Sequence, residues 1–188
     1  MRLRSSRPIL QRLGANPGCT AAEASDIHQA IFDARGWLLK AIPQLEASPL
    51  SGAALASLRR NFGPTFGEAV NAGLIVGRLK VAYHELSTIP FSCAGAANAT
   101  CAGGAGGFSF PGTHASAVCT NVWATTADAV YRAATALHES LHAAFPRFTI
   151  DHYSGWHGHA GGTAPYPGPG TDPLLNADSY TSLVIDLS

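Results

Sequence analysis

Residues 128–146 read DAVYRAATALHESLHAAFP, and this stretch decides the expected fold. Thr125 and Asp128 are residue types that cap the start of a helix, and Pro146 cannot continue one. The stretch therefore predicts a long helix over about 126–145. Most of what the sequence indicates about function depends on side chains of this helix.

Three of those side chains have the chemistry of a metal site. His138, Glu139 and His142 form the pattern HExxH. Residues four apart lie on one helix face, so both imidazoles can reach one metal ion, and Glu139 projects at an adjacent angle towards a metal-bound water. This is the zincin arrangement, in which two histidines bind zinc and the glutamate is the general base. We therefore expect one bound Zn²⁺ ion.

A catalytic zinc site normally has three protein ligands and one open position, so a third ligand is needed. A metzincin would have a histidine where this chain has Phe148, and a gluzincin would have a downstream glutamate, but no glutamate follows Glu139. Asp151 is the nearest downstream carboxylate. Imidazole is an equally good zinc ligand, so chemistry alone leaves three rivals: His152, His157 and His159.

Three further regions are predicted to be helical. Thr20 and Glu23 form a capping box, and the helix that follows them is expected to end at Pro43. A shorter helix is expected over 51–62, and a second capping box predicts a helix from about 65 to 87.

The second half of the chain contains the only expected strands. AGGAGG at 102–107 is expected to be loop. Short strands are expected at 107–110 and 117–123, and residues 176–187 are expected to form one helical turn and a short extended run. The expected fold class is therefore α+β, mostly α, with a small β element.

The composition excludes several classes of protein. Hydrophobic residues make up 46% of the 188 residues, too many for a disordered chain. Twelve basic and 12 acidic residues give a net charge of zero, which argues against a nucleic-acid or anionic-membrane binder. No stretch approaches the ~18 apolar residues of a membrane span. We expect residues 1–18 to be a tail or propeptide remnant, and residues 19–188 to form one catalytic domain.

The chain has four cysteines, and none of them forms a CxxC pair, so a thiolate zinc site is not expected. An even count in a small domain with few charges suggests two disulfides and an oxidising compartment. The four cysteines are Cys19, Cys93, Cys101 and Cys119. They allow three pairings, and the spacing alone does not choose among these. We expect a secreted protein whose signal peptide is not part of this sequence.

Three other segments carry a resemblance to a known family. They read TIDHYSG at 149–155, VCTNVW at 118–123 and NADS at 176–179. Together with HExxH they resemble motifs of the aspzincin family of secreted metalloendopeptidases, which includes deuterolysin and the fungal peptidyl-Lys metalloendopeptidases. The resemblance spans about residues 19–183 and implies a zincin-like metalloprotease domain.

The resemblance implies roles for residues around the zinc. It makes Asp151 the third zinc ligand. The tyrosine that stabilises the oxyanion in the family stands three residues after this aspartate, where the present chain has Ser154, and Tyr153 stands one residue early. Tyr153 is therefore the expected oxyanion partner, with His152 and Tyr180 as alternatives.

The resemblance also implies how the cysteines pair and how a substrate is chosen. In the peptidyl-Lys members the aspartate of NADS helps to bind a basic side chain after the scissile bond. This assigns Asp178, with the neighbouring Tyr180, to substrate binding and predicts a modest preference for Lys or Arg. The alternative is that Asp178 is a structural hydrogen-bonding residue. The implied disulfides are Cys19–Cys93 and Cys101–Cys119.

The expected function is hydrolysis of peptide bonds in proteins or peptides by a zinc-activated water. Glu139 would accept the proton of this water and deliver it to the leaving amine. Two other classes are a catalytically silent zinc-binding interaction module and a structural disulfide module without metal; the intact Glu139 favours the enzyme. A nutritional protease and a delivered toxin domain both fit. We expect a monomer without nucleic-acid or membrane partners.

Overall fold

The computed structural model describes residues 16–63, 69–126, 128–148 and 172–188. Within these ranges the chain forms seven α-helices, a 3₁₀ turn at Pro173–Leu175 and a three-stranded sheet. The helices are α1 (Ala21–Glu46), α2 (Gly52–Phe62), α3 (Ala69–Glu85), α4 (Ala99–Ala102), α5 (Thr120–Thr125), α6 (Ala129–Ala144) and α7 (Ala177–Asp186). The strands are β1 (Phe91–Ala94), β2 (Gly107–Ser109) and β3 (Ser116–Cys119). The predicted class, α+β and mostly α, is confirmed.

Helix α6 lies at the centre of the fold. It packs against α1, α3 and α7 and against strands β2 and β3. Every residue from Ala133 to Ala143 is buried. A surface helix buries only one stripe, whereas α6 is buried around its whole circumference in this segment. The HExxH side chains are therefore part of the interior.

The predicted capping residues begin two of the helices. The Glu23 amide donates to the Thr20 hydroxyl at 3.3 Å, and the Thr20 amide donates to the Glu23 carboxylate at 2.7 Å. The Thr20 amide and the Thr20 hydroxyl both donate to the Glu23 carboxylate, and these two bonds lower the pKa of Glu23. Asp128 Oδ1 accepts from the amides of Val130 and Tyr131 at 2.8 and 3.3 Å. Helix α6 thus begins after Asp128, slightly later than predicted.

Pro43 lies inside α1, so the prediction that it ends this helix is wrong. Proline costs the last turn one backbone hydrogen bond. The turn is held from elsewhere, because Gln44 Nε2 donates to the carbonyl of Leu187 at 2.6 Å. Leu45 is also buried in the core. These tertiary contacts keep the chain helical to Glu46.

Strand β3 is the centre of the sheet. It pairs in parallel with β1, with Phe91 opposite Ser116, and antiparallel with β2, with Phe108 opposite Ala117. The strand predicted at 107–110 is confirmed. The strand predicted to reach residue 123 ends at Cys119, since α5 follows it directly, and β1 was not predicted.

Residues 16–18, predicted to belong to a tail, pack on β1. The amide of Cys93 donates to the carbonyl of Pro17 at 2.9 Å, and Asn16 Nδ2 donates to the carbonyl of Phe91 at 2.9 Å. These bonds satisfy backbone groups on the outer edge of β1 that would otherwise face solvent. The folded domain therefore includes Asn16.

The end of the chain differs from the prediction, because residues 177–186 form one helix of ten residues. Asn176 caps it, with its side-chain oxygen accepting from the amide of Asp178 at 3.1 Å. Tyr180, Leu183 and Val184 are completely buried. Burial of such a face stabilises short helices more than intrinsic propensity does, which explains why the sequence pattern missed α7.

Both disulfides implied by the resemblance are confirmed. Cys19–Cys93 joins the start of α1 to β1, and Cys101–Cys119 joins α4 to the end of β3. In the part of the chain that the structure describes, no helix combines the length and the apolar character that crossing a bilayer requires.

The two disulfides are expected to contribute unequally to stability. Their cysteines are 74 and 18 residues apart, and loop-closure entropy predicts losses of about 4 and about 3 kcal/mol in the free energy of unfolding. Urea denaturation of the double variants Cys19→Ala/Cys93→Ala and Cys101→Ala/Cys119→Ala tests this order. A larger loss for the second variant would contradict it.

Candidate metal centre

The two histidines of the motif face each other on α6. Their Nε2 atoms are 2.9 Å apart, and their ring centroids are 4.6 Å apart. His138 and His142 are 7% and 6% exposed. The structure thus brings together the two imidazoles that the spacing of four residues predicts on one face.

The outer nitrogen of each ring contacts a hydrogen-bond acceptor. His142 Nδ1 lies within hydrogen-bond distance of the carbonyl oxygen of Phe148. His138 Nδ1 lies 2.9 Å from Asp178 Oδ1. A carbonyl and an ionised carboxylate only accept, so these contacts require a proton on Nδ1 of each ring. In a neutral imidazole Nε2 is then the unprotonated atom.

This arrangement fits a zinc ion in its donor chemistry. With Nδ1 protonated on both rings, the two Nε2 atoms, 2.9 Å apart, can present their lone pairs to one cation. Zinc binds imidazole nitrogen at about 2.0–2.1 Å, so one ion can contact two nitrogens with this order of separation. Acceptors on the outer nitrogens are also typical of histidines that bind zinc.

The rest of the predicted ligand set falls outside the residues that the structure describes. In the described ranges, no three His, Cys, Asp or Glu side chains form a group that could hold a metal. The predicted third ligand, Asp151, and the predicted oxyanion partner, Tyr153, lie outside these ranges. The same holds for the three rival ligands, His152, His157 and His159.

Glu139 lies where α6 meets β2, and it is 5% exposed. A Cβ atom on Gly107 would stand 3.0 Å from Glu139 Cγ and 2.9 Å from the carbonyl of Ala117. One on Gly106 would stand 2.5 Å from the hydroxyl of Tyr131. Only glycine therefore allows the strand to approach α6 this closely. The glycine-rich stretch, predicted simply as loop, supplies this contact.

Two serine hydroxyls from the sheet fix the backbone of α6 at Glu139. Ser109 Oγ donates to the carbonyl of Glu139 at 2.9 Å, and Ser116 Oγ does so at 3.4 Å. The two hydroxyl oxygens are 2.6 Å apart, so the Ser116 proton is shared between Ser109 Oγ and this carbonyl, while Ser109 donates to the carbonyl alone. The position of the expected general base is thus set by neighbouring strands as well as by its own helix.

The turn between β2 and β3 satisfies carbonyls near the end of α6. The amide of Gly112 donates to the carbonyl of His142 at 3.0 Å, and that of His114 donates to the carbonyl of Ala143 at 3.2 Å. Gly112 and His114 have φ values of 71° and 55°, a left-handed conformation that turns the amides towards the helix. His114 Nδ1 also contacts the carboxylate of Glu85 on α3.

Tyr131 is a residue near the site that sequence reasoning missed. Burial raises its pKa, and the negative charge of Glu139 raises it further. The hydroxyl is therefore a protonated donor at neutral pH. Its place about two turns before Glu139 on α6 was visible in the sequence, but its contact with Gly106 comes from the packing of β2.

Tyr180, predicted to bind substrate or the oxyanion, is completely buried. Its hydroxyl accepts from Arg78 at 2.7 Å and donates to the carbonyl of Leu174 at 3.1 Å. Its ring packs on Phe148, with 5.3 Å between the centroids. Since the Phe148 carbonyl contacts His142, Tyr180 lies behind the residue that orients this histidine.

Asp178, the other residue predicted to bind substrate, is 3% exposed. It lies in the first turn of α7, with its carboxylate against Nδ1 of His138. This places it at the outer nitrogen of the ring, away from the pair of Nε2 atoms. Thr181, one turn further along α7, is buried and donates to the carbonyl of Ala177 at 3.0 Å.

Comparison with known proteins adds no assignment to this geometry. No known family model matches the chain, and no curated protein matches it. The resemblance to aspzincins therefore stays a prediction based on the motifs quoted above.

The close approach of β2 to α6 predicts a strong effect of Gly107→Ala. The added Cβ must displace either the Ala117 carbonyl or the Glu139 side chain, which should cost about 1–3 kcal/mol. Gly95→Ala is the matched control, because nothing lies within 4 Å of its Cβ position, and we expect a change within about 0.5 kcal/mol. Equal melting temperatures for the two variants would contradict the contact.

Alkaline pH should destabilise the protein through Tyr180. Burial raises its pKa from 10.0 to about 12, although Arg78 opposes the shift. The unfolded chain loses this proton first, so the contribution is present below pH 10 and is lost as the pH rises towards 12. In Tyr180→Phe, the fall of unfolding free energy above pH 10 should be shallower by up to about 1.4 kcal/mol per pH unit. Identical slopes in the two proteins would contradict this burial.

Proposed function

We propose that this chain is a zinc-dependent endopeptidase of the zincin type, with an aspzincin-like ligand set. The observation that carries the proposal is the pair of imidazole Nε2 atoms, 2.9 Å apart, on the same helix as a buried glutamate. Both rings have acceptors at Nδ1, which leaves the metal-binding nitrogens facing each other. A structural disulfide module would have no need for this arrangement.

The proposed ligands are His138, His142 and, from the motif resemblance, Asp151. When bound, zinc would supply the electrophile that polarises the scissile carbonyl and makes a water acidic enough to lose its proton near neutral pH. The contribution of the chain is to orient both histidines with Nε2 towards the ion, because zinc binds an unprotonated imidazole nitrogen.

Glu139 is the proposed general base. Its carboxylate would accept the proton of the attacking water and then transfer it to the nitrogen of the leaving amine. Three contacts support a fixed position for it: the Ser109 and Ser116 hydroxyls on its carbonyl, and Gly107 against its Cγ. Positioning of this kind is a main source of rate acceleration, because the reacting groups do not need to be brought together. Tyr153 is the proposed donor to the oxyanion.

Strand β2 offers a place for an extended peptide. Among the described residues it pairs with β3 only, so its other edge has backbone groups that a peptide strand could bond. Gly106 and Gly107 bring this strand against α6 beside Glu139. Because Glu139 is 5% exposed, we propose flexible or unfolded chains as substrates, since an extended segment reaches a buried side chain more readily than a folded surface does.

The two disulfides support a protein that works in an oxidising, extracellular environment. Secretion therefore belongs to the proposal. The predicted preference for Lys or Arg does not, because it rests on Asp178, whose carboxylate contacts His138.

The test compares the wild-type protein with Glu139→Gln, which preserves the size of the side chain but removes the base. We expect one zinc per chain in both proteins, and cleavage of denatured protein slower by at least about 10²-fold in the variant. Metal analysis and mass-spectrometric mapping of the cuts measure both quantities.

His142→Ala provides the complementary variant, since it should lose zinc as well as activity. Zinc-bound wild-type protein that cuts nothing would favour the silent binding module instead. Wild-type protein that binds no zinc, or full activity in Glu139→Gln, would reject the proposed function.

A further inference from the structure

We propose that Asp178 is a positioning residue, whose carboxylate holds His138 in the tautomer that leaves Nε2 able to bind zinc. The inference rests on the proposed function for the identity of the metal. It differs from the substrate-binding role that the motif resemblance implies for this aspartate, and it names the residue on which the geometry of His138 depends.

The two histidines are oriented by different kinds of acceptor. His142 contacts the backbone carbonyl of Phe148, which no side-chain substitution removes. His138 instead contacts the side chain of Asp178, at 2.9 Å between Nδ1 and Oδ1. A carboxylate acceptor also makes the imidazole a more basic ligand. The orientation of His138 is therefore the one that depends on a replaceable group.

The surroundings of Asp178 suit this role. It lies in the first turn of α7, where the dipole of the helix stabilises a negative charge. Its amide is bonded to the side chain of Asn176 at 3.1 Å, which fixes the backbone beneath the carboxylate. Both residues of the pair are nearly excluded from solvent, with 7% of His138 and 3% of Asp178 exposed. Water competes weakly for such a buried polar contact.

Helix α7 is bonded to its neighbours at both ends, and the bonds near its start are the ones that hold the Asp178 carboxylate against the ring. Near its start, Tyr180 is bonded to Arg78 and to the carbonyl of Leu174. At its end, the carboxylate of Asp186 accepts from Ser57 and Asn61 on α2, at 2.9 and 2.8 Å. A supporting residue needs this rigidity to hold a ligand within a fraction of an ångström.

A substrate-binding role would require the Asp178 carboxylate to be more exposed than it is. A carboxylate that reads a basic side chain must present an oxygen to the cleft, whereas Asp178 is 3% exposed and lies at the outer nitrogen of His138. The two roles make opposite predictions for Asp178→Asn. Loss of positioning weakens metal binding, whereas loss of substrate recognition changes which bonds are cut and leaves metal binding intact.

The experiment measures zinc affinity by competition with a chelator in full-length protein. We expect Asp178→Asn to bind zinc about 10–100-fold more weakly than the wild type. Asp186→Asn is the matched control, since it makes the same chemical change on the same helix but contacts α2 rather than a histidine. It should lower the melting temperature and leave zinc affinity unchanged.

A second readout does not need metal or activity. The ¹⁵N chemical shifts of His138 in metal-free protein report which ring nitrogen carries the proton. We expect the Nδ1–H form in the wild type and in Asp186→Asn, and a mixture of both tautomers in Asp178→Asn. A merely structural role of Asp178 would not move this signal.

The outcomes separate this inference from the proposed function. If the wild type binds zinc without cleaving protein, the proposed function fails, but weaker zinc binding in Asp178→Asn still supports the positioning role. Unchanged zinc affinity in Asp178→Asn overturns the inference, and does so in favour of substrate recognition if the cleavage sites change. An Nε2–H tautomer of His138 in the wild type, or equal losses of affinity in both variants, also overturns it.

Discussion

The central segment of α6 is buried on every side, so polar atoms that the helix itself does not satisfy must find partners elsewhere in the fold. Strands β2 and β3 supply hydroxyls to the carbonyl of Glu139, and their connecting turn supplies amides to the helix end. Helix α7 supplies a carboxylate to His138, and the segment after α6 supplies a carbonyl to His142. The elements around α6 thus serve two purposes, since they form the core and they satisfy the motif.

The contacts of the two histidines have a chemical consequence. Acceptors at the outer nitrogens of His138 and His142 favour a proton there, and the inner nitrogens face each other, 2.9 Å apart. One cation could contact both inner nitrogens. Because the unfolded chain does not hold the rings in this relation, the free energy of metal binding would add to that of folding. The packing that orients the two rings would therefore also prepare the proposed metal site.

The features that could be predicted from the sequence are those whose causes are local. The common face of His138 and His142 follows from helix geometry, and Thr20 and Asp128 cap the helices that begin directly after them. The features that could not be predicted depend on distant partners. Strand β1 exists through pairing with residues 25 positions away, and the last turn of α1 continues past its proline because Gln44 reaches a carbonyl 143 residues further along the chain.

The same distinction explains why a motif assigned Asp178 to one role and its contacts indicate another. The segment NADS specifies a helix start, since Asn176 caps α7 and an acidic residue follows in the first turn. It does not specify which way that turn faces. The side that the turn presents to α6 depends on the rotation of α7 about its own axis. Three completely buried side chains fix this rotation: Tyr180, Leu183 and Val184. With that rotation the carboxylate meets the outer nitrogen of a histidine, so its effect on a metal would be transmitted through the imidazole ring.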